Sequence, residues 1–108
     1  MASGTIYASN DLVRTNPDAV RAFVAAWIET VDFIRIHKAE TVEIESGITG
    51  FSQSVMAKEY DLTVGMFTKG CAFDAESIAT LKRSFTDLKL LDSPADMSKL
   101  YTEAFLPK

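Results

Sequence analysis

The strongest hydrophobic pattern in the chain begins after Asn16-Pro17 and continues to about Ile36. Apolar residues recur there at spacings of three and four, which is typical of one face of an α-helix. Asn16 is suited to the N-cap and Pro17 to the first helical position, and Asp18 would lie at the positive end of the helix dipole. The pattern therefore predicts a first helix over 17–36. Its broad apolar face comprises Val20, Phe23, Val24, Trp27, Val31 and Ile34.

Two further helices are predicted in the middle of the chain. The second covers Ala39–Glu45, has little apolar surface, is expected to pack lightly and is ended by Ser46-Gly47. The third covers about Ser52–Leu62. The residues that follow, Leu62–Phe67, fit either a helix end or a short strand, because periodicity does not separate the two in so short a run. The inward-facing candidates of the third helix are Val55, Met56 and Tyr60.

A fourth helix is predicted to begin at Asp74, whose carboxylate is suited to the N-cap. Phe73 and Ile78 flank this cap at the offset of a hydrophobic staple. Ser93-Pro94 then signals a last short helix around Ala95–Tyr101. The apolar stripe of the fourth helix consists of Ile78, Leu81, Phe85 and Leu88.

Both ends of the chain carry apolar residues that need a partner. Gly4–Ser9 contains β-branched and aromatic residues and predicts a short strand, which leads through a polar turn into the first helix. A strand needs a neighbour for its backbone groups, and the pattern predicts no strong one elsewhere. The apolar segment Ala104–Pro107 is expected to dock on another surface. The predicted fold class is therefore mostly α, with four to five helices and one short N-terminal β-strand, in a single unit over 1–108.

The composition fits one soluble domain of ordinary character, with 47% hydrophobic and 24% charged residues in a chain of 108. The net charge is −4, and basic residues never exceed two in a row, so nucleic acid is not an expected partner. No apolar run approaches the roughly 20 residues that span a bilayer, so no membrane insertion is expected. Met1-Ala2-Ser3 does not resemble the start of a secretory signal. The chain as written is therefore expected to stay in the cytoplasm.

The reactive residue types form no catalytic pattern. His37, near the end of the first helix, is interpreted as a cation at the helix C-terminus rather than a catalytic group. Cys71 has no base beside it in sequence and is interpreted as a small apolar filler. The aromatic pair Phe23 and Trp27 is interpreted as core rather than as a ligand pocket. Without a metal cluster or a phosphate-binding loop, the chain is expected to use no cofactor and not to be an enzyme.

The order of the elements resembles the C-terminal part of a known family. The segments that carry the likeness are IYASNDLVRTNPDAVRAFVAAW, VDFIRIHKAETVEI, FDAESIATL and DMSKLYTEAFLP. Together they resemble periplasmic solute-binding proteins of the nitrate, sulfonate, taurine and thiamine-precursor group, which are the receptor components of ABC importers. The likeness covers nearly all of this chain but only about the last third of a typical family member.

The resemblance implies a partial fold and an incomplete binding site. The family binds a small anionic or aromatic nutrient in a cleft between two α/β lobes in the periplasm, and most of both lobes lies outside this chain. Gly4–Ser9 would be a strand that returns from the second lobe, and the first helix would pack on the first. The nearest cleft residues would be Tyr7, Ser9 and Asn10. The segment is therefore expected to lack full ligand-binding activity on its own.

Two functions remain open on the sequence. The first is the C-terminal segment of an importer's solute-binding protein, whose partner would be the missing N-terminal lobes. The second is a stand-alone helical interaction module that forms homo-oligomers through its apolar face and N-terminal strand, which would require an interface of about 1,000 Å². Strand pairing through Ile6 and Tyr7 is the specific expectation for that module. The candidate interface residues are Ile6, Tyr7, Trp27 and Phe105.

Overall fold

The computed structural model describes residues 5–107, which are mostly helical, as predicted. Three short 3-10 turns, at Val64–Met66, Lys69–Cys71 and Met97–Lys99, complete the regular structure of this range. No strand is present among residues 5–107. The five α-helices are α1 (Asn10–Thr15), α2 (Pro17–Ile36), α3 (Lys38–Thr49), α4 (Gln53–Thr63) and α5 (Ala75–Asp87).

The helix starts follow the capping residues that the sequence indicates. The Asn16 side-chain oxygen accepts a hydrogen bond from the Ala19 amide at 3.2 Å, and Pro17 is the first residue of α2. The Asp74 carboxylate accepts one from the Ser77 amide at 2.7 Å at the start of α5. Each bond satisfies one of the backbone amides that the first helical turn leaves without a partner. The predicted starts of these two helices are therefore confirmed.

The predicted N-terminal strand is not formed in the described residues. Residues 5–9 have no regular structure, and Gly4 lies outside the described range. A strand needs a neighbour, and residues 5–107 provide none. The segment predicted as a polar turn instead forms α1. The Ser9 hydroxyl caps this helix by accepting a hydrogen bond from the Leu12 amide at 3.0 Å.

The predicted end of the second helix was wrong. α3 continues through Gly47 to Thr49, and Gly50 ends it with a left-handed φ of +80°. Glycine adopts this conformation without the steric cost that other residues meet, and it is a common helix terminator. A glycine inside a helix costs only about 1 kcal/mol relative to alanine, so packing against a neighbouring helix outweighs the cost at Gly47.

Two other predicted segments differ in detail. Leu62–Phe67, left open between helix end and strand, is a helix end, because α4 continues to Thr63 and a 3-10 turn follows. The last short helix predicted over 95–101 is reduced to the 3-10 turn Met97–Lys99. The Asp96 carboxylate caps this turn by accepting from the Ser98 amide at 3.1 Å. A single turn of this kind forms one local cap but has too few residues to propagate a helix.

The core lies where α3 and α4 pack against the end of α2. Val42 of α3 is 6% exposed and lies beside Met56 and Tyr60 of α4, with Ile34 of α2 packed against the group. The Tyr60 hydroxyl donates to the Ile34 carbonyl at 2.5 Å and to the Arg35 carbonyl at 3.2 Å. The second helix was predicted to pack lightly, but its Val42 is central to this core. The predicted inward position of Val55 was also wrong, since that residue is exposed.

The described fold is open rather than compact. Its radius of gyration is 17.1 Å, whereas a compact domain of this length would have about 13 Å. Its accessible surface is 8403 Å², about 2,400 Å² more than the roughly 6,000 Å² of a compact monomer of this mass. The five residues outside the described range account for at most about 800 Å² of the excess even when fully exposed. The helices therefore leave a large apolar surface uncovered.

Candidate interaction surface

Helix α2 carries apolar residues on two sides, and only one side is covered. Val24 and Val31 are buried, and Ile28 between them is half-buried. On the other side, seven exposed residues with no charge occupy an arc of about 140° around the helix axis. We call these seven residues the outer face of α2. They are Ala19, Ala22, Phe23, Ala26, Trp27, Thr30 and Phe33.

The aromatic residues of the outer face contribute most of its exposed apolar area. Phe23 is 57% exposed, Trp27 41% and Phe33 40%. Phe23 and Trp27 were interpreted as core, and that interpretation was wrong. The apolar face of a helix is ordinarily turned toward the core of a protein. The outer face therefore has the chemistry of a covered surface, although residues 5–107 leave each of its aromatic side chains at least 40% exposed.

Two polar groups on or beside the outer face already have partners. The Thr30 hydroxyl donates to the Ala26 carbonyl at 2.8 Å. The His37 ring stacks on Phe33 with ring centroids 4.4 Å apart, and its Nδ1 lies 3.0 Å from a Glu40 carboxylate oxygen. The Trp27 indole N–H lies on the same face, so a partner that covers this face must accept a hydrogen bond from it or leave it open to water.

The outer face was only partly recognised in the sequence. Phe23 and Trp27 were assigned to the same stripe as the buried Val24 and Val31. A second signal was available in the spacing of Ala19, Phe23, Ala26, Thr30 and Phe33, which alternates between four and three residues. This spacing is the heptad pattern of a helix–helix seam.

The four candidate interface residues do not form one surface. Trp27 lies on the outer face of α2, whereas Phe105 lies against a different side of the same helix. The Arg21 guanidinium lies 5.3 Å above the Phe105 ring, and together with Ala25 and residues 104–107 they line a groove of about 490 Å³. Ile6 and Tyr7 are exposed in the segment without regular structure.

The predicted ligand-binding residues are not gathered into a pocket. Tyr7 is 89% exposed, and the Ser9 hydroxyl is engaged as the cap of α1. Asn10 is the exposed first residue of that helix. None of the three lines the groove at Phe105 or another groove of about 420 Å³. That second groove is lined by Asp32, Arg35, Ile36 and Lys69.

The titratable groups give no sign of an activated nucleophile. Partial burial, helped by the nearby Asp32 carboxylate, raises the pKa of the Cys71 thiol. The raised pKa favours the protonated thiol, which is a poor nucleophile. The hydrogen bond from Ser77 lowers the pKa of Asp74, as expected for a helix cap. No group of three or more histidine, cysteine, aspartate or glutamate residues in the described part of the chain is arranged to hold a metal ion.

Helix α3 contains two buried polar atoms that lack partners. The Thr41 hydroxyl and one carboxylate oxygen of Glu45 are buried and have no hydrogen-bond partner among residues 5–107. The two residues are one helical turn apart and share a face. Buried polar atoms in native proteins are nearly always paired. Because this chain itself covers both atoms, a second chain docked on its surface has no access to them.

A second exposed apolar group lies around the connection between α3 and α4. It was not recognised in the sequence because α3 has a weak hydrophobic pattern. Ile44 and Ile48 lie one turn apart on the same side of α3, and both are exposed. Phe51 and Val55, which follow, are exposed as well.

Among residues 5–107, no helix combines the length and hydropathy that crossing a membrane requires. Comparison of the chain with known protein families, with curated proteins and with solved structures finds no match.

Proposed function

We propose that this chain is the C-terminal segment of an ABC importer's solute-binding protein and that its role is to complete a larger two-lobe receptor. The observation that carries the proposal is the open fold, which exposes at least about 1,600 Å² more than a compact monomer of its mass after the five residues outside the described range are discounted. The ordered set of segments that resembles the nitrate, sulfonate, taurine and thiamine-precursor group indicates which kind of protein would cover this exposed surface. In that group the complete protein is periplasmic.

Two local features support a missing neighbour. The outer face of α2 is mostly apolar and exposed, so covering it is favourable. Residues 5–9 have no strand to pair with among the described residues. A chain evolved as part of a larger α/β protein would have both of these features when viewed alone.

The proposed ligand is a small anionic or aromatic nutrient, bound between lobes that lie mostly outside this chain. Tyr7, Ser9 and Asn10 would lie nearest the cleft. On this proposal the isolated chain binds no solute, because these residues are exposed and the grooves at Phe105 and at Asp32 involve none of them.

The proposal is tested by reconstitution. The purified chain is mixed with the separately produced N-terminal two-thirds of a solute-binding protein of the resembled group, and calorimetry then measures binding of taurine, nitrate and an alkanesulfonate. We expect no binding to the chain alone, a 1:1 complex with the lobes, and solute binding by that complex. A folded chain that forms no complex with lobes from several group members would contradict the proposal.

A matched pair of variants shows whether the lobes cover the outer face. Ala26→Glu places a charge at the middle of that face, and Ala79→Glu makes the same change at an exposed position of α5. We expect the first variant to weaken the complex at least tenfold and the second to leave it unchanged. Equal effects of the two variants would show that the lobes bind elsewhere.

The second candidate function is a stand-alone helical interaction module. The observation that favours it is the regular four-and-three spacing along the outer face, which is suited to pairing with another helix. Under this alternative the chain is a homo-oligomer in its working state, and added lobes would not dissociate it.

A further inference from the structure

We infer that the outer face of α2 binds the outer face of a second copy of this chain, with the two helices antiparallel and a twofold axis at Ala26. This pairing involves the chain on its own and does not depend on the proposed function. It takes the place of the strand pairing through Ile6 and Tyr7 that the sequence predicted. Residues 5–9 provide no strand for that pairing.

The spacing of the outer face fits a helix pair. Five of its residues, Ala19, Phe23, Ala26, Thr30 and Phe33, repeat every 3.5 positions on average over the 15 residues from Ala19 to Phe33. This repeat keeps a seam facing a partner helix along its whole length, with each side chain entering a gap between side chains of the neighbour. The regular outer face therefore predicts a helix as its occupant.

The order of large and small residues selects the antiparallel arrangement. With the axis at Ala26, Phe33 lies opposite Ala19 of the second copy, and Phe23 lies within one residue of that copy's Thr30. Each phenylalanine therefore meets a small side chain, and the two central alanines allow close approach, as tight packing requires. A parallel pair would set phenylalanine against phenylalanine and alanine against alanine. The antiparallel pair also opposes the two helix dipoles favourably.

The exposed area is sufficient for a specific contact. A biological interface needs about 1,000 Å² in total, or about 500 Å² from each copy. Aromatic side chains bury about 150–250 Å² each, so Phe23, Trp27 and Phe33 at their observed exposures offer about 300 Å². Four small residues of the outer face and the neighbouring Ile36, which is also exposed, supply the remainder.

The first test is the solution mass of the purified chain, measured by sedimentation over a wide range of concentrations. We expect a folded dimer that dissociates on dilution. The Ala26→Glu variant brings two like charges together at the twofold axis and is expected to weaken the dimer at least tenfold. The control Ala79→Glu is expected to leave it unchanged. A folded monomer at every concentration, or an assembly that Ala26→Glu does not disturb, would overturn the inference.

The second test reports the direction of the helices by cross-linking. In a Cys71→Ser background, which removes the native thiol, Ala26→Cys places two thiols across the axis and is expected to form a disulfide-linked dimer on mild oxidation. Ala19→Cys places its thiols about 21 Å apart in the antiparallel pair, because 14 residues of helix rise by 1.5 Å each, and is expected not to cross-link. Efficient cross-linking of both variants would refute the antiparallel arrangement.

The outcomes separate this inference from the proposed function. A monomer that nevertheless forms a complex with the N-terminal lobes would overturn the dimer and support the proposed function. A dimer that the lobes do not bind or dissociate would support the inference and overturn the proposed function.

Discussion

Tyr60 provides the sharpest test of how α4 holds the end of α2. Its ring is buried in the core and its hydroxyl donates to the Ile34 and Arg35 carbonyls. Both carbonyls belong to the last turn of α2, where no later residue of the helix can donate to them. Tyr60→Phe keeps the ring in place and removes the donor. The variant therefore isolates the hydrogen bonds from the packing.

The expected loss of stability follows from these contacts. Tyr60 is 7% exposed, so water has little access to the two carbonyls once the hydroxyl is removed. An unsatisfied buried group costs about 1–3 kcal/mol, and a normal hydrogen bond contributes about 0.5–1.5 kcal/mol net. We expect Tyr60→Phe to lower the free energy of unfolding by about 1–2 kcal/mol. For a domain of this size that corresponds to a decrease in Tm of about 4–16 °C.

The assay is urea unfolding followed by far-ultraviolet circular dichroism, at one fixed protein concentration so that self-association does not alter the comparison. Tyr7→Phe is the matched control, because it removes the same hydroxyl from a side chain that is 89% exposed and has no hydrogen bond among the described residues. Its expected effect is within about 0.5 kcal/mol of zero. If the two variants lose the same stability, the Tyr60 hydrogen bonds do not hold the end of α2.

Three further predictions concern single positions. Gly50→Ala is expected to destabilise the chain by about 1 kcal/mol in urea unfolding because Gly50 has φ +80°, whereas Gly47→Ala, within α3, is expected to stabilise it by up to about 1 kcal/mol. The lowered pKa of Asp74 means that its cap stabilises α5 above the ordinary carboxyl pKa of about 3.9 and is lost as the pH falls through the lower folded value. Asp74→Asn keeps a cap and is expected to remove that part of the acid dependence of helicity, and an unchanged acid profile would refute this assignment. Because the pKa of the Cys71 thiol is raised, iodoacetamide at pH 8 is expected to modify it several-fold more slowly in the folded chain than in urea. Asp32→Asn is expected to recover part of that rate, and equal rates in folded and unfolded chains would contradict the burial of the thiol.

Local signals in the sequence were sufficient for the starts of α2 and α5 but not for the start of α1 or the end of α3. Asn16 and Asp74 cap their helices through atoms only three residues away, so neither cap depends on the rest of the fold. The end of α3 depends on tertiary packing, which carries the helix through Gly47 as far as Gly50. The sequence offers two glycines as helix terminators, Gly47 and Gly50, and it does not show the packing that decides between them. The predicted end of α3 was therefore placed too early.

The candidate surface could be located only in part, for a related reason. Hydrophobic spacing shows that a helix has an apolar face, but it does not show which neighbour covers that face. Phe23 and Trp27 were grouped with Val24 and Val31, yet the fold buries the two valines and exposes the two aromatics. The strand predicted over Gly4–Ser9 failed in the same way, because a strand depends on a partner that residues 5–107 do not supply.

A second copy and the lobes of a receptor are the two proposed occupants of the outer face of α2. They differ in how much of the remaining apolar surface, above all that of α5, they would cover. The apolar stripe of α5 has a well-capped start, but Ile78 and Phe85 are only half-buried, and Leu81 and Leu88 are exposed. A second copy bound to the outer face of α2 would cover that face, but this contact does not account for the exposed residues of the α5 stripe. A partner larger than one helix, such as the lobes in the proposed function, would cover both surfaces at once. The pairing of two copies therefore accounts for the outer face of α2 alone, and the exposed residues of the α5 stripe are the observation that favours the larger partner.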